Sequence, residues 1–285
     1  MSVIGSHHPS KRRRWFQYSL RSRFIFITLI AVGLGLIVAP VLRQKRAVEA
    51  ILNAHGEVEY GRDKTDQGFF HVPNWLREFL GDDYFRPVVR VKLTGRDVSD
   101  RGLELLSGMT SLEALSLENT QVSDAGLAHL TGLTALKTLN LYNTSVGDAG
   151  LKYLQGMTLL QTLDLNNTQV GDVGLVNLKN MTALETLRLN HTQTTDAGLA
   201  HLQGLNSLHM IDLSNTQIGD AGLLQIQVLP SLEFLDIYNT QVTNIGLGHL
   251  ESMTNLKTIF LQNTRITKNG LERLQVALPK CKISH

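Results

Sequence analysis

Residues 112–135 read LEALSLENTQVSDAGLAHLTGLTA, and residues 136–159 read LKTLNLYNTSVGDAGLKYLQGMTL. The two stretches, each 24 residues long, align without a gap. Their shared pattern, L-x-x-L-x-L-x-N-T-x-V-x-D-x-G-L, recurs in eight copies until about Leu274. A strict period in this range predicts a solenoid, because each unit can bury its apolar side only against its neighbours.

Three columns of the repeat carry nearly the same residue in every copy. Glycine followed by leucine stands at Gly102, Gly126, Gly150, Gly174, Gly198, Gly222, Gly246 and Gly270. Threonine stands at Thr120, Thr144, Thr168, Thr192, Thr216, Thr240 and Thr264, after asparagine everywhere except at His191. Aspartate precedes the glycine by two residues at Asp100, Asp124, Asp148, Asp172, Asp196 and Asp220.

These columns receive structural interpretations. We expect Thr hydroxyls or Asn amides to form a polar ladder that satisfies backbone groups of adjacent coils. We expect each Asp to be the N-cap of a short helix. The glycines fit tight turns or the close packing of helix on sheet.

One coil is predicted to consist of a strand, a turn, a short helix and a turn. Leu115 and Leu117 alternate with period two, which indicates a strand with one buried face. Leu127, Leu130 and Leu133 then form an apolar stripe suited to a helix. Stacked coils give an α/β fold: a parallel sheet with short helices outside it.

The pattern resembles the leucine-rich-repeat family over about residues 88–283. It is most similar to the cysteine-containing subclass, with Thr120 and its equivalents where that subclass usually has Cys. The resemblance implies a curved solenoid whose concave sheet or rims bind other macromolecules. It implies no catalytic residue.

Residues 24–42 form a run of 19 residues without a charge. As a helix it would span about 28 Å, which predicts a transmembrane segment. More Lys and Arg residues precede this run than follow it, so we expect a cytoplasmic amino terminus and repeats on the periplasmic side of the cell membrane. A cleaved signal peptide ending near Ala39 is the alternative.

Two further features belong to this amino-terminal part. Residues 12–22, RRRWFQYSLRS, resemble the amino termini of membrane-anchored proteins of planctomycete bacteria. Ala31, Gly35 and Ala39 have the spacing of small residues that lets membrane helices approach each other, so a weak homodimer is an open alternative.

The sequence predicts five segments, and the lead-in before the repeats has structural signals of its own. Ala47, Val48, Ile51 and Leu52 indicate a short helix in the lead-in, and Val58 and Tyr60 a strand. Trp75, Leu76, Phe79 and Leu80 predict an amphipathic turn that covers the first coil. The segments are a basic cytoplasmic tail (1–23), a transmembrane helix (24–42), a lead-in and amino-terminal cap (43–87), leucine-rich repeats (88–277) and a carboxyl-terminal cap (278–285).

Function is expected at strand positions that the repeat leaves free. We predict a polar patch in the middle of the sheet face, formed by Tyr142, Asp164, Asn166, Arg188, Asn190 and Asp212. We predict a second, apolar-aromatic patch formed by Met210, Phe234, Tyr238 and Phe260. Exposed aromatics beside polar residues are typical of binding hot spots.

The sequence contains few features that indicate an enzyme. Asp212 and Asp236 lie on neighbouring predicted strands, about 4.8 Å apart, near the carboxylate spacing of a retaining glycosidase. Adjacency gives that spacing anywhere in such an array, and no insertion forms a cleft that would exclude water. We therefore predict no enzymatic activity, no cofactor and no metal site. Cys281 is the single cysteine and fits a small core residue.

The distribution of charge along the chain restricts the class of partner that it can bind. The first 46 residues contain nine Lys or Arg and no acidic residue, so the remainder has 18 basic and 25 acidic residues, a net charge of −7. This balance argues against nucleic acid. We predict a membrane-anchored module that binds a protein; a glycan or cell-wall binder and a structural spacer are the alternatives.

Overall fold

The computed structural model describes residues 20–62, 74–95 and 97–285, and the side chains of residues 32, 35, 36 and the described residues from 38 onward. The chain forms two compact units, residues 1–43 and 44–285. The basic tail predicted for residues 1–23 lies almost wholly outside the described residues.

Helix α1 spans Leu20–Asn53 and contains Pro40. Its backbone runs through the segment predicted to cross a membrane, but the side chains of most residues between 24 and 37 lie outside the described part. Within the described residues, no helix has both the length and the apolar character that a membrane crossing requires. The predicted transmembrane helix is thus not supported by the structure.

The second unit is a ten-stranded sheet whose strands follow the chain order. The strands are β1 Glu57–Tyr60, β2 Val88–Lys92, β3 Ala114–Ser116, β4 Thr138–Asn140, β5 Thr162–Asp164, β6 Thr186–Arg188, β7 Met210–Asp212, β8 Phe234–Asp236, β9 Thr258–Phe260 and β10 Lys282–Ser284. Strand β1 pairs antiparallel with β2, and the strands from β2 to β10 pair in parallel. The predicted α/β solenoid with a parallel sheet is confirmed.

Along the chain, one α-helix lies between each two consecutive strands. These helices are α2 Asn74–Leu80, α3 Asp100–Leu103, α4 Asp124–Leu127, α5 Asp148–Leu151, α6 Asp172–Leu175, α7 Asp196–Leu199, α8 Asp220–Ile226, α9 Asn244–Leu250 and α10 Lys268–Ala277. In α3 to α7 only four residues are α-helical, and a 3₁₀ turn such as Ala128–Leu130 follows. The leucine spacing of three is compatible with such a turn, because residues i and i+3 eclipse in a 3₁₀ helix.

The core is one apolar column enclosed between the strands and the helices. Leu115, Leu127 and Leu139 are fully or almost fully buried, as are their equivalents along the array. The strand β10 continues the same 24-residue register, with Lys282 opposite Thr258. Residues 278–285 were predicted to be a cap, and they add a strand to the sheet. Leu278 and Cys281 are buried, and the burial of Cys281 was expected.

The amino-terminal cap differs from the predicted one. Ala47, Val48 and Ile51 of α1 share the core cluster with the first coil, and β1 pairs with its strand. In α2, Leu76 and Leu80 are buried, whereas Trp75 and Phe79 are 61% and 78% exposed. The expected burial of both aromatics is wrong, because a helix of seven residues buries one i, i+4 pair and turns the other outward.

The aspartate column joins neighbouring coils. Asp124 Oδ1 accepts a hydrogen bond from the backbone N–H of Gly147 at 2.7 Å, and Asp172 does the same for Thr195 at 2.8 Å. The N-cap is the residue before each Asp, for example Ser123, whose hydroxyl accepts from the N–H of Ala125. The predicted N-cap role of Asp is therefore wrong: the carboxylate faces the next coil.

The glycine column makes room for that carboxylate. A Cβ on Gly150 would lie 2.5 Å from Asp124 Oδ1 and 3.2 Å from Asp124 Cα. The first distance is shorter than real Cβ contacts and the second is tighter than most, so a side chain at Gly150 would push against Asp124 of the preceding coil. The close packing was predicted, but its partner is the Asp of the coil before, not the sheet.

The Thr and Asn columns were expected to form one polar ladder, but their side chains have different partners. Each Thr of the repeat column donates within its own coil to the carbonyl three residues earlier, as Thr168 Oγ1 does to Leu165 O at 2.7 Å. The Asn side chains connect different coils, as Asn143 Nδ2 does with Asn119 Oδ1 at 2.8 Å. These Asn residues have positive φ, for example 53° at Asn143, a conformation that Asn tolerates better than most residues.

Candidate functional site

The exposed face of the sheet consists of the strand residues that point away from the core, together with the residue two positions after each strand. We call it the sheet face. In-register pairing aligns Asn140, Asp164, Arg188, Asp212 and Asp236 across five consecutive strands. Because neighbouring strands lie about 4.8 Å apart, each of these side chains is within reach of its equivalents in the neighbouring coils.

Four members of this central column have a shared structural role. The side-chain Oδ1 of Asn140, Asp164, Asp212 and Asp236 accepts the backbone N–H two residues later, at distances of 2.9 to 3.0 Å. The interaction caps the end of each strand and needs an Asp or Asn side chain. This role was not predicted from the sequence, although the recurrence of Asp and Asn in one column was its signal.

The predicted polar patch is brought together over strands β5 to β7. Arg188 Nη1 lies 3.3 Å from Asp164 Oδ2, and Asp164 is buried. Asn166 Oδ1 accepts from the backbone N–H of Asn190 at 2.7 Å. Asn190 Nδ2 in turn donates to the hydroxyl of Ser214. These side chains satisfy one another, and Tyr142, at 39% exposure, lies at the edge of the patch.

The predicted apolar-aromatic patch is also contiguous. Met210 lies opposite Phe234 in the sheet register. The rings of Phe234 and Phe260 have centroids 5.5 Å apart and an angle of 48° between their planes, a favourable tilted arrangement. Tyr238, two residues after the strand that carries Phe234, is 42% exposed. This patch therefore presents aromatic surface that the array itself does not cover.

Asp212 of the polar patch lies opposite Asp236 of the neighbouring strand, which also carries Phe234. They are paired in the sheet register, and no cation among the described residues lies within ion-pair distance of either. Burial raises the pKa of the Asp236 carboxyl, and the charge of Asp212 raises it further, against the hydrogen bond from Tyr238 N–H. Of these two carboxylates only Asp212 was predicted as a site residue, and the structure adds Asp236 to it.

Metal chemistry has no support in the described residues. Among them, no group of three His, Cys, Asp or Glu side chains converges as metal ligation requires. The two carboxylates on β7 and β8 lie on an open sheet face, and their Oδ1 atoms are engaged with backbone N–H groups. The arrangement is suited to contact with a surface rather than to enclosure of a small substrate.

Comparison with known proteins identifies the repeats. Family models described as leucine-rich repeats match residues 156–179, 204–226 and 230–273. The matched repeats are leucine-rich repeats. A search of the curated proteins finds no match to the chain.

Solved structures share the leucine-rich-repeat fold. An internalin (inlF) of Listeria monocytogenes is 26% identical with a TM-score of 0.58, over 68% of this chain and 52% of that one. Internalin C2 (inlC2) of the same organism is 24% identical with a TM-score of 0.53, over 69% and 81%. A leucine-rich-repeat protein of Leptospira interrogans is 23% identical with a TM-score of 0.50, over 64% and 51%. The chain thus spans about half the length of the first and third of these proteins.

Proposed function

We propose that this chain is a non-enzymatic recognition module that binds another protein through the sheet face at strands β7 to β9. Leucine-rich-repeat proteins typically mediate protein–protein interaction. The observation that carries the proposal for this chain is the contact between the rings of Phe234 and Phe260 on that face, beside the exposed Tyr238.

The repeat itself does not require aromatic residues at these strand positions. At the strand position of Phe234, four other coils have threonine, at Thr138, Thr162, Thr186 and Thr258. Threonine suits an exposed strand position without requiring a partner. Large aromatic side chains at the centre of an exposed face are the residues that contribute most to protein interfaces.

The polar patch supports the alternative of a glycan ligand less well. Asp164, Arg188, Asn166 and Asn190 already make hydrogen bonds or ion pairs with one another. A sugar would have to displace those contacts in order to use the same polar groups. The alternative of a structural spacer does not account for the aromatic surface on the sheet face.

Membrane anchoring is part of the proposal and rests on the sequence. The run of 19 uncharged residues from 24 to 42 and the basic residues before it support a single-pass anchor with a cytoplasmic amino terminus and periplasmic repeats. Gly35 and Ala39 are exposed along α1, consistent with the weak homodimer predicted with Ala31. Membership of the cysteine-containing subclass and a planctomycete source stay predictions from the sequence.

Capture from membranes tests the function. The full chain is crosslinked in its native membranes as wild type, as Phe234→Ala with Phe260→Ala, and as Val173→Ala with Ile245→Ala. The last pair is a control, because Val173 and Ile245 are 72% and 73% exposed on the helix side. We expect a protein captured by the wild type and the control to be lost with the aromatic variant. Equal capture by all three would overturn the proposed surface.

A further inference from the structure

Within the described residues, the carboxylates of Asp212 and Asp236 each keep one oxygen atom without a hydrogen bond or an ion pair. Asp212 Oδ1 accepts the N–H of Ser214 at 3.0 Å and its hydroxyl at 2.5 Å. Asp236 Oδ1 accepts the N–H of Tyr238 at 2.9 Å. Each Oδ2 is left to face whatever covers the sheet.

The array itself contains the interaction that these two residues lack. Asp164 stands in the same column, and its Oδ1 accepts a backbone N–H in the same way. Its Oδ2 is bound by the guanidinium of Arg188, which comes from the next strand. After Asp212 the next residue of the column is Asp236, and after Asp236 it is Phe260, so neither carboxylate receives a cation from its neighbour.

Two adjacent like charges of this kind are unfavourable without a counter-charge. The strands that carry them lie about 4.8 Å apart, and the repulsion between two neighbouring carboxylates is stronger at a half-buried surface than in bulk water. A cation placed between them would be attracted by both. The rings of Phe234 and Phe260 lie beside the pair, where the face of an aromatic ring also attracts a cation.

Arginine is the side chain that fits all of these groups. Its planar guanidinium offers several N–H donors to carboxylates and stacks on aromatic rings, whereas the lysine ammonium is a strongly hydrated point charge. The net charge of −7 beyond residue 46 also favours a basic partner.

We propose that the surface formed by Asp212, Asp236, Phe234 and Phe260 docks a basic segment of the partner protein, with an arginine side chain seated against the two carboxylates and the aromatic pair. This inference rests on the proposed function and specifies the chemistry of the partner. It assigns to the partner's arginine the place that Arg188 occupies beside Asp164.

Fluorescence anisotropy with defined peptides tests the proposal on the purified full chain. The probe is a fluorescein-labelled peptide, Gly-Ser-Arg-Gly-Arg-Ser-Gly, and its control carries citrulline, a neutral isostere, at both arginine positions. We expect the arginine peptide to bind about tenfold more tightly than the citrulline peptide, a difference of about 1.4 kcal/mol. We also expect added salt to weaken its binding.

Two double variants locate the binding site. Asp212→Asn with Asp236→Asn removes both charges and keeps the strand caps, since Asn140 makes the same backbone contact in that column. Glu251→Gln with Glu272→Gln removes two charges from the helix side as a match in net charge. We expect a loss of about tenfold in affinity for the arginine peptide with the first variant and little change with the second.

Several results would overturn the inference. They are no binding of the arginine peptide by the wild type, equal binding of the citrulline peptide, an unaffected Asp212 and Asp236 variant, and an equal loss with the helix-side variant. Displacement of the peptide by about 1 mM Ca²⁺ at constant ionic strength would indicate a metal site instead. The capture experiment separates this inference from the proposed function. If one of these results is obtained while the Phe234 and Phe260 variant still loses the captured protein, the proposed function stands and only the arginine docking is rejected.

Discussion

The Oδ1 atom of Asp148 accepts a hydrogen bond from the backbone N–H of Gly171, 23 residues later, at 2.6 Å. The same oxygen would lie 2.5 Å from a Cβ added to Gly174. The aspartate and glycine columns are therefore two parts of one contact between successive coils. A coil of different length would displace both residues, which gives a physical reason for the absence of insertions between copies.

The glycine side of this contact can be tested by adding one methyl group. We expect Gly174→Ala to destabilise the array by about 2–4 kcal/mol, because its Cβ would also lie 3.1 Å from Asp148 Cα. Gly156→Ala is the matched control, since a Cβ there meets no atom within 4 Å. Urea unfolding followed by circular dichroism should show the loss in the first variant only; equal midpoints would refute the contact.

The aspartate side requires an acceptor rather than a charge. In the next-to-last copy Asn244 takes the place of Asp and accepts the N–H of Thr267 at 3.0 Å. We therefore expect Asp148→Asn to retain most of the stability and Asp148→Ala to lose about 1–3 kcal/mol, because the N–H of Gly171 would lose its partner. Thermal unfolding of both variants decides this, and an Asn variant as unstable as the Ala variant would argue for the charge.

Two buried threonines should respond in opposite ways to valine. In Thr168→Val the carbonyl of Leu165 loses a hydrogen bond of 2.7 Å, and we expect a loss of about 1 kcal/mol. Thr194 is fully buried in a column that otherwise contains Val or Ile, and its hydroxyl contacts only that of Thr192. Thr194→Val should be neutral or stabilising. Melting temperatures that fall equally in both variants would contradict this account.

The effect of replacing Asp236 on stability should depend on pH. Because the folded-state pKa of this carboxyl is raised, its contribution is complete below the unfolded pKa of about 3.9 and is lost as the pH rises through the folded pKa. We expect Asp236→Asn, which keeps an acceptor for Tyr238 N–H, to melt about 1–3 °C higher than wild type at pH 7. At about pH 3 the difference should disappear; an Asn variant that is less stable at pH 7 would be inconsistent with it.

The repeat period predicted the fold in detail, because it fixes which residues share a column. Strands such as Thr138–Asn140 and the buried leucines follow from it directly. The period does not show whether a side chain reaches its own coil or the next. For this reason the interpretations of Asp124 and Thr168 were wrong in direction: the carboxylate crosses between coils and the hydroxyl does not.

The candidate site was predictable to a similar extent. Alignment of the repeat columns was enough to place Phe234 near Phe260 and Asp212 near Asp236. It could not show that Arg188 binds Asp164 rather than Asp212, because both lie on neighbouring strands and only side-chain geometry distinguishes them. The lead-in has no repeat, so nothing in the sequence indicated which pair of α2 residues would be buried.

Photocrosslinking from single positions tests recognition through the sheet face most directly. Benzoylphenylalanine replaces Tyr238 on the sheet face in one full-length variant and Ile245 on the helix side in another; both positions are exposed. We predict a discrete protein adduct from position 238 that competing arginine peptide reduces, and none from position 245. Adducts only from position 245, or equal adducts from both, would contradict recognition through the sheet face.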